Sequence, residues 1–329
     1  MLLKLLLKKD FYCFFPLLTL KNKNQNFNLN KQLLFLSIFF LVSTMLMSQK
    51  YFGLSVDNDL YFGTDRYYSS GIFFKYGGLK KELKDSLSYH TYISEHWTFG
   101  QEINTPSLRL TNDLDKIDYP YSGWLYLGFQ KEYFKSLDFG YGWGIQIGTS
   151  GANASLAKFL QNNYHIHILN IEPLTWAYSI PQSFLVNSEA SILWGSKLSN
   201  KTKLVQENRI FAGSFRTNLT SRIGIQWGAL PGLPFFGQRL EDLSKGFAFF
   251  TGAKFTINFH DYSLTGSIFK PNSSYDFKAK FFRKTLQGGL IYYSSSWRGK
   301  LMLNYASAYI TAQRINNHLY LNISLIKLF

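Results

Sequence analysis

The sequence predicts an all-β fold: a membrane-spanning antiparallel up-and-down β-barrel of about twelve strands. Apolar and polar residues alternate with a period of two along most of the chain. Aromatic residues make up 18% of the sequence and charged residues 17%, yet the mean hydropathy is only -0.10. The chain also ends on an amphipathic segment with a terminal phenylalanine. A barrel wall accounts for all three observations, because one face of each strand meets lipid and the other faces a polar lumen.

The alternation is clearest in the segments 141–148, 222–227, 300–305 and 316–329. In the first segment, one face carries Tyr141, Trp143, Ile145 and Ile147. The other face carries glycines and Gln146, which suit a crowded polar lumen and would form a poor core for a soluble sandwich. In the last segment, one parity carries Leu319, Leu321, Ile323, Leu325 and Phe329. Such an ending is typical of bacterial outer-membrane barrels.

Segments of this kind recur about twelve times, an even number as in bacterial barrels. We place them at 50–61, 67–78, 95–104, 122–133, 138–148, 182–195, 200–212, 213–228, 246–259, 280–294, 297–310 and 316–329. Residues 151–181 break the pattern and predict a long loop with a helical piece around Ala154–Asn163. Long irregular insertions are often functional.

Residues 1–48 predict an N-terminal extension and signal peptide, and residues 49–329 the barrel domain. An apolar stretch from Leu33 to Met47 follows Lys31 and ends near small residues, as in a secretory signal cleaved near Ser48–Gln49. An uncleaved anchor is the alternative. We therefore expect the mature protein in the bacterial outer membrane.

The charge and the cysteine count limit the partners. The formal charge is +15, and six lysines against one aspartate give the first 49 residues +5, which leaves +10 for the rest. An excess of this kind suits anionic lipid headgroups, and no basic block or reader motif indicates nucleic acid. The single cysteine, Cys13, lies in the leader, so the barrel has no disulfide.

Three polar clusters interrupt the alternation: Val56–Asp59, Thr64–Gly71 and Gln161–His165. Each alone suits the lining of a pore. Together with GQEINTPS (100–107), DYPYSGWLYLG (118–128) and GTSGANASLAKFLQNNYH (148–165), they give the region from Tyr51 to about Trp176 a recognisable pattern. This region resembles the outer-membrane lipid A 3'-O-deacylases (the LpxR family) in residue type, order and spacing.

The resemblance implies hydrolysis of the 3'-linked acyl ester of lipid A, with Ca²⁺ as cofactor. Asn58 and Asp59 match the family's Asn-Asp pair, Ser69 matches its hydroxyl residue and His165 its essential histidine. A neutral imidazole is a general base near physiological pH, and a cation held by Asp59 would stabilise an oxyanion. Asn58 and Ser69 would orient the carbonyl or complete the oxyanion site. A nucleophilic Ser69 or Ser70 is the rival mechanism, without a Gly-x-Ser-x-Gly motif to support it.

Two further residues complete the predicted site. Where characterised family members carry a lysine, this chain has Arg109, whose guanidinium would pair with a lipid A phosphate. Glu172 is an additional calcium ligand in this alignment. We expect a monomer whose partners are lipid A or lipopolysaccharide and the outer-membrane lipids. The competing functions are an outer-membrane phospholipase, although no His-x-Ser motif occurs, and a non-enzymatic porin-like barrel.

Overall fold

A computed structural model describes residues 50–82, 92–136, 138–230, 245–267 and 277–329. The predicted extension and signal peptide, residues 1–48, lie outside the described residues. No helix in the described ranges is both long and apolar enough to cross a membrane.

Twelve antiparallel strands form a closed barrel, which confirms the predicted fold and strand number. The strands are β1 (Lys50–Asn58), β2 (Tyr67–Glu82), β3 (Tyr92–Thr105), β4 (Ser122–Ser136), β5 (Phe139–Ser150), β6 (Ser183–Ser199), β7 (Thr202–Gly213), β8 (Arg216–Gly228), β9 (Gly246–Asp261), β10 (Phe282–Tyr293), β11 (Trp297–Ser307) and β12 (Asn317–Leu328). Each strand pairs with its neighbours in sequence, and β1 pairs with β12 to close the ring. Closure leaves no strand edge unpaired within the membrane.

The side chains alternate across the wall as the sequence predicts. On β5, Trp143 is 47% exposed and Ile147 40%, whereas Gly144 and Gln146 between them face inward. On β11, Leu301 and Leu303 are exposed, and Met302 between them is buried. The apolar outer face therefore meets lipid, and the inner face carries most of the polar residues.

The loops at the two ends of the barrel differ in length. The chain enters and leaves at one end, where Tyr51 pairs with Leu328. Most of the longer connections lie at the opposite end, at 59–66, 106–121, 151–182, 262–281 and 308–316, whereas the connections at the first end are two or three residues long except at 83–91 and 229–245. Longer loops are extracellular in bacterial barrels, so this is the extracellular end. We call residues 151–182 the β5–β6 segment.

Short helices occur among these connections. The β5–β6 segment contains α1 (Ala157–Tyr164), which continues into a π-helical turn (His165–Leu169). The helix overlaps the predicted helical piece. A single turn, α2 (Tyr262–Thr265), follows β9, and 3₁₀ turns occupy Leu60–Phe62 and Leu114–Lys116.

Inside the barrel, apolar side chains pack on both sides of a charged chamber. Nearer the chain termini, one buried cluster joins six strands: Phe134, Leu193, Val205, Ala248, Phe250, Ile291, Tyr293 and Met302. Nearer the extracellular end, Trp124 stacks on Phe215 with ring centroids 4.1 Å apart. The chamber has a volume of about 480 Å³ and is lined mainly by charged and amide side chains.

Candidate functional site

The β5–β6 segment packs against the outer face of the barrel wall. On β3, Trp97 and Phe99 are exposed to the outside, so Gln101 points the same way, and its amide donates to the carbonyl oxygen of Ser155. On β4, Gly123 also faces outward, and a methyl group there would collide with the side chains of Ser155 and Ala157. The missing Cβ at Gly123 thus permits this close contact.

A small apolar core fixes the segment to the wall. It consists of Ile103, Tyr121, Ala157, Leu174 and Trp176, all buried. The rings of Tyr121 and Trp176 stack at 4.9 Å, and Tyr121 exchanges backbone hydrogen bonds with Tyr178 and Ile180. These contacts hold the polar residues of α1 against β2 and β3.

Ser69 occupies an irregularity in the wall itself. Tyr68 pairs with Asn104 and Ser70 with Ile103, so Ser69 is an extra residue on β2. Such bulges re-aim a side chain and often lie beside active sites. Ser69 is only 3% exposed, and its hydroxyl lies 3.5 Å from the Gln161 side-chain nitrogen on α1. The bulge therefore directs Ser69 toward the β5–β6 segment.

The backbone is strained around this site. Among the described residues, the non-glycine residues with positive φ are Tyr67, Leu156, Asn170 and Trp176. Tyr67 begins β2 just before the bulge, and the other three lie in the β5–β6 segment. Positive φ in such residues costs free energy and, like π-helical turns, is frequent at functional sites.

His165 and Asp65 form a buried pair at the centre of the site. The imidazole Nε2 lies 2.9 Å from Asp65 Oδ2, and the side chains are 3% and 8% exposed. In the described residues, Oδ2 accepts no hydrogen bond of regular geometry. The His165 imidazole is therefore the group that contacts this carboxylate oxygen at close range.

Two further side chains surround Asp65. Gln161 donates to Asp65 Oδ1 at 3.3 Å, and Arg109 Nε lies 3.6 Å from Oδ2. The guanidinium of Arg109 is about one-third exposed, so it joins the buried pair to the surface. His165 and Arg109, which come from two distant parts of the chain, thus gather around Asp65, and Gln161 connects this group to Ser69.

Asp59 and Asn58 lie beside this group at the end of β1. The backbone N–H of Asp59 donates to the carbonyl oxygen of Ser69 at 3.2 Å. Asp59 Oδ2 accepts from the Thr64 hydroxyl at 2.9 Å and from the Arg66 backbone at 3.0 Å. Burial raises the pKa of Asp59 to about 7, and the nearby Asp65 charge adds to this. Asn58 Oδ1 accepts from the backbone of Leu60, which fixes its amide.

The donor set does not complete a calcium site in the described residues. No three His, Cys, Asp or Glu side chains there are arranged to hold a metal ion. Calcium takes six to eight oxygen ligands, and Asp59 supplies one carboxylate whose Oδ2 already accepts two hydrogen bonds. Glu172 is exposed, and its backbone oxygen, not its carboxylate, lies near His165 Nδ1, at 3.4 Å. The calcium ligands Asp59 and Glu172 remain predictions.

Sequence reasoning did not assign roles to Asp65 and Gln161. Both lie inside the polar clusters singled out above, at 64–71 and 161–165. Gln161 precedes His165 by one helical turn, so the two share a helix face, a spacing that could have been noticed. Nothing in the sequence pairs Asp65 with a histidine 100 residues later, because that contact depends on how the β5–β6 segment folds back.

The fold and this site define a class of protein: an outer-membrane β-barrel with a buried polar site on the outside of its wall. The chain belongs to the family described as outer membrane protein LpxR, whose model matches residues 33–327. This confirms the family resemblance and the outer-membrane location.

The chain was also compared with solved structures, and the fold agrees with that of a family member. LpxR from Salmonella typhimurium superposes with a TM-score of 0.66 at 16% identity, covering 85% of this chain and 100% of that one. The translocator domain of the autotransporter NalP from Neisseria meningitidis gives a TM-score of 0.41 at 9% identity, with coverages of 92% and 95%. The transport unit of AIDA-I from Escherichia coli gives 0.42 at 6% identity, with coverages of 88% and 92%. A search of curated proteins finds no match.

Proposed function

We propose that this protein hydrolyses the 3'-linked acyl ester of lipid A at the outer membrane. The observation that carries the proposal is the buried His165–Asp65 pair on the outer side of the wall, where lipid is the surrounding medium. An ester of a membrane lipid reaches this face without entering the lumen. Family membership supports the same substrate class.

The imidazole has the surroundings of a general base. The carboxylate of Asp65 faces Nε2, which favours an N–H there and a lone pair on Nδ1 that can accept a proton. The Glu172 carbonyl oxygen, 3.4 Å from Nδ1, accepts a hydrogen bond from the N–H that forms there once Nδ1 has taken the proton. In the first step, Nδ1 takes a proton from water as the water oxygen bonds to the ester carbonyl carbon. In the second step, the bond between the carbonyl carbon and the sugar oxygen breaks, and the proton passes from Nδ1 to that oxygen. The products are a free fatty acid and a sugar hydroxyl.

Donors near the pair suit the charge that develops on the carbonyl oxygen. The hydroxyl of Ser69 accepts from the amide of Gln161 at 3.5 Å, and Gln161 shares the Asp65 carboxylate with the imidazole. Preorganised donors of this kind stabilise an oxyanion because they need no reorganisation during the reaction. We assign this role to the Ser69 hydroxyl, which Gln161 positions by donating to its oxygen, and we assign Arg109 the binding of an anionic headgroup.

Calcium dependence is a separate part of the proposal, and the mechanism above uses no step through a cation. Asp59 is the residue that would hold the ion, and the ion would supply positive charge to the oxyanion. A chelator series with the wild type and Asp59→Asn tests this part. We expect chelator to abolish activity and the variant to need more calcium. Full activity in excess chelator would remove the metal from the reaction.

One experiment separates this function from the two competing ones. The purified full-length protein is incubated with lipid A and, separately, with phospholipid, and the products are measured by mass spectrometry. Loss of the 3' acyl group supports the proposal, and phospholipid hydrolysis supports a phospholipase. Neither product, from a protein with heat-modifiable gel migration, would contradict the proposal and leave a non-enzymatic barrel.

A further inference from the structure

A surface cleft opens next to the His165–Asp65 pair. It has a volume of about 650 Å³ and is mostly apolar. Its lining comes from the β3–β4 connection and the β5–β6 segment: Arg109, Leu110, Ile166, Asn170, Ile171, Glu172 and Pro173. Leu110, Ile166 and Ile171 are each 40% exposed or more, so they offer uncovered apolar surface.

The walls of the cleft are connected to the reactive pair from two sides. On one side, Ile166 follows His165 directly, and the carbonyl oxygen of Glu172 lies 3.4 Å from His165 Nδ1. On the other side, Arg109 lies 3.6 Å from Asp65. A group bound in the cleft therefore lies next to the nitrogen that we assign as the base.

We infer that this cleft holds the hydrocarbon chain of the ester being cleaved, and that Leu110 and Ile171 set the chain length it accepts. The inference rests on the proposed esterase function and adds a binding site to it. It assigns the cleft to the acyl chain and leaves the headgroup to the polar residues around Asp65.

The chemistry of the lining favours a chain over a headgroup. Four of the seven lining residues have apolar side chains, and the charges of Arg109 and Glu172 are opposite. A concave surface with a mostly apolar lining and a few polar groups is the usual form of a small-molecule binding site. The segment that forms it packs on the outer face of the wall, so a lipid chain can enter sideways from the membrane. A sugar or phosphate would leave the four apolar side chains without a matching partner.

Bulky substitutions in the cleft test the inference. Leu110→Trp and Ile171→Trp are compared with the control Phe159→Trp, which changes an exposed residue of α1 outside the cleft. The substrates are lipid A preparations with short, medium and long 3' chains. We expect kcat/KM for the longest chain to fall roughly tenfold or more against the shortest in both cleft variants. The control should keep the wild-type profile.

Saturable binding of a radiolabelled fatty acid to the detergent-solubilised protein provides a second measurement that needs no turnover. We expect the double variant Leu110→Trp/Ile171→Trp to lose this binding and Phe159→Trp to keep it. An unchanged chain-length profile in active cleft variants, or unchanged binding in the double variant, would overturn the inference. An inactive wild type that binds fatty acid in the cleft would instead contradict the proposed function alone.

Discussion

Two groups of charged side chains occupy this barrel, and they are organised differently. In the lumen, the Glu207 carboxylate receives Arg209 at 2.5 Å and Arg222 at 2.8 Å. Arg216 reaches Glu102 at 2.7 Å. On the outer face, Asp65 Oδ2 accepts no regular hydrogen bond from the described residues and lies against an imidazole.

The difference concerns what each group can do. A guanidinium stays charged at any ordinary pH, so these luminal arginine pairs hold fixed charges and stabilise the interior. The lumen also contains the imidazole of His96, but both of its ring nitrogens are held by luminal partners, Tyr51 on one side and Ser94 and Glu132 on the other. An imidazole gains and loses a proton near physiological pH, so the outer pair can take part in proton transfer. We therefore assign chemistry to the outer face and a structural role to the luminal charges.

Removing the imidazole is expected to have the largest effect on activity. His165→Ala deletes the assigned base, and we expect the rate of ester hydrolysis to fall by about 10² to 10⁴. Product mass from lipid A gives the rate, and heat-modifiable gel migration checks that the barrel is intact. A fully active and folded His165→Ala protein would remove the outer pair from the reaction.

A substitution at Gly123 tests whether the packing of the β5–β6 segment matters. Gly123→Val pushes α1 away from β4, because even a single methyl group collides with Ser155 and Ala157. We expect a loss of roughly a hundredfold in kcat, as small misplacements of catalytic groups have such effects.

The matched control for this variant is Gly299→Val on the outer face of β11. A methyl group at Gly299 would meet only Tyr292, at 3.6 Å. We expect this protein to keep wild-type activity. Equal activity in both glycine variants would show that the contact between α1 and the wall is dispensable.

Changing the carboxylate that faces His165 tests whether Asp65 orients the imidazole or binds substrate. Asp65→Asn keeps the shape of the side chain but removes its charge, so the preferred tautomer of His165 is lost. We expect kcat to fall by about tenfold or more with KM nearly unchanged, because the effect is on the reacting state. A raised KM with normal kcat would instead make Asp65 a binding residue. Asp113→Asn, on an exposed 3₁₀ turn, is the control.

The smallest effect on activity is expected in the lumen. Glu207→Gln leaves Arg209 and Arg222 without their shared carboxylate, and we expect unfolding in urea to become easier by roughly 1–3 kcal/mol, since these arginines are partly exposed. Hydrolysis by the folded protein should change by less than about twofold. A large loss of activity would contradict the separation between lumen and outer face.

The barrel could be predicted from the sequence because its rule is local. Successive side chains of each strand point alternately to lipid and to the lumen, so the apolar residues Trp143 and Ile147, which are an even number of positions apart, are predicted to share the lipid face. The twelve predicted segments match the observed strands, with differences of a few residues at the ends. The largest differences, of four residues, are at the ends of β2 and β6, which are longer than predicted. Residues 60–61, predicted as strand, lie in a 3₁₀ turn.

The site could be predicted only in part because it depends on contacts between residues that are far apart in the sequence. His165 and Ser69 were singled out by family resemblance, and the structure brings His165 to Asp65 and connects Ser69 to the same carboxylate through Gln161. The bulge at Ser69 depends on how β2 pairs with β3. The close contact of Gly123 with Ser155 and Ala157 depends on how the β5–β6 segment packs on β4. The sequence also does not show that the β5–β6 segment folds outside the wall, where it forms the apolar cleft.

Photoaffinity mapping tests the central claim most directly. A lipid A analogue carries a photoreactive group on its 3'-linked chain near the ester, and the labelled peptides are identified after irradiation of the full-length protein. We predict label on the β5–β6 segment and on the peptide that contains Ser69. Label confined to luminal residues, such as those around Glu207 and Arg222, would contradict a site on the outer face of the barrel.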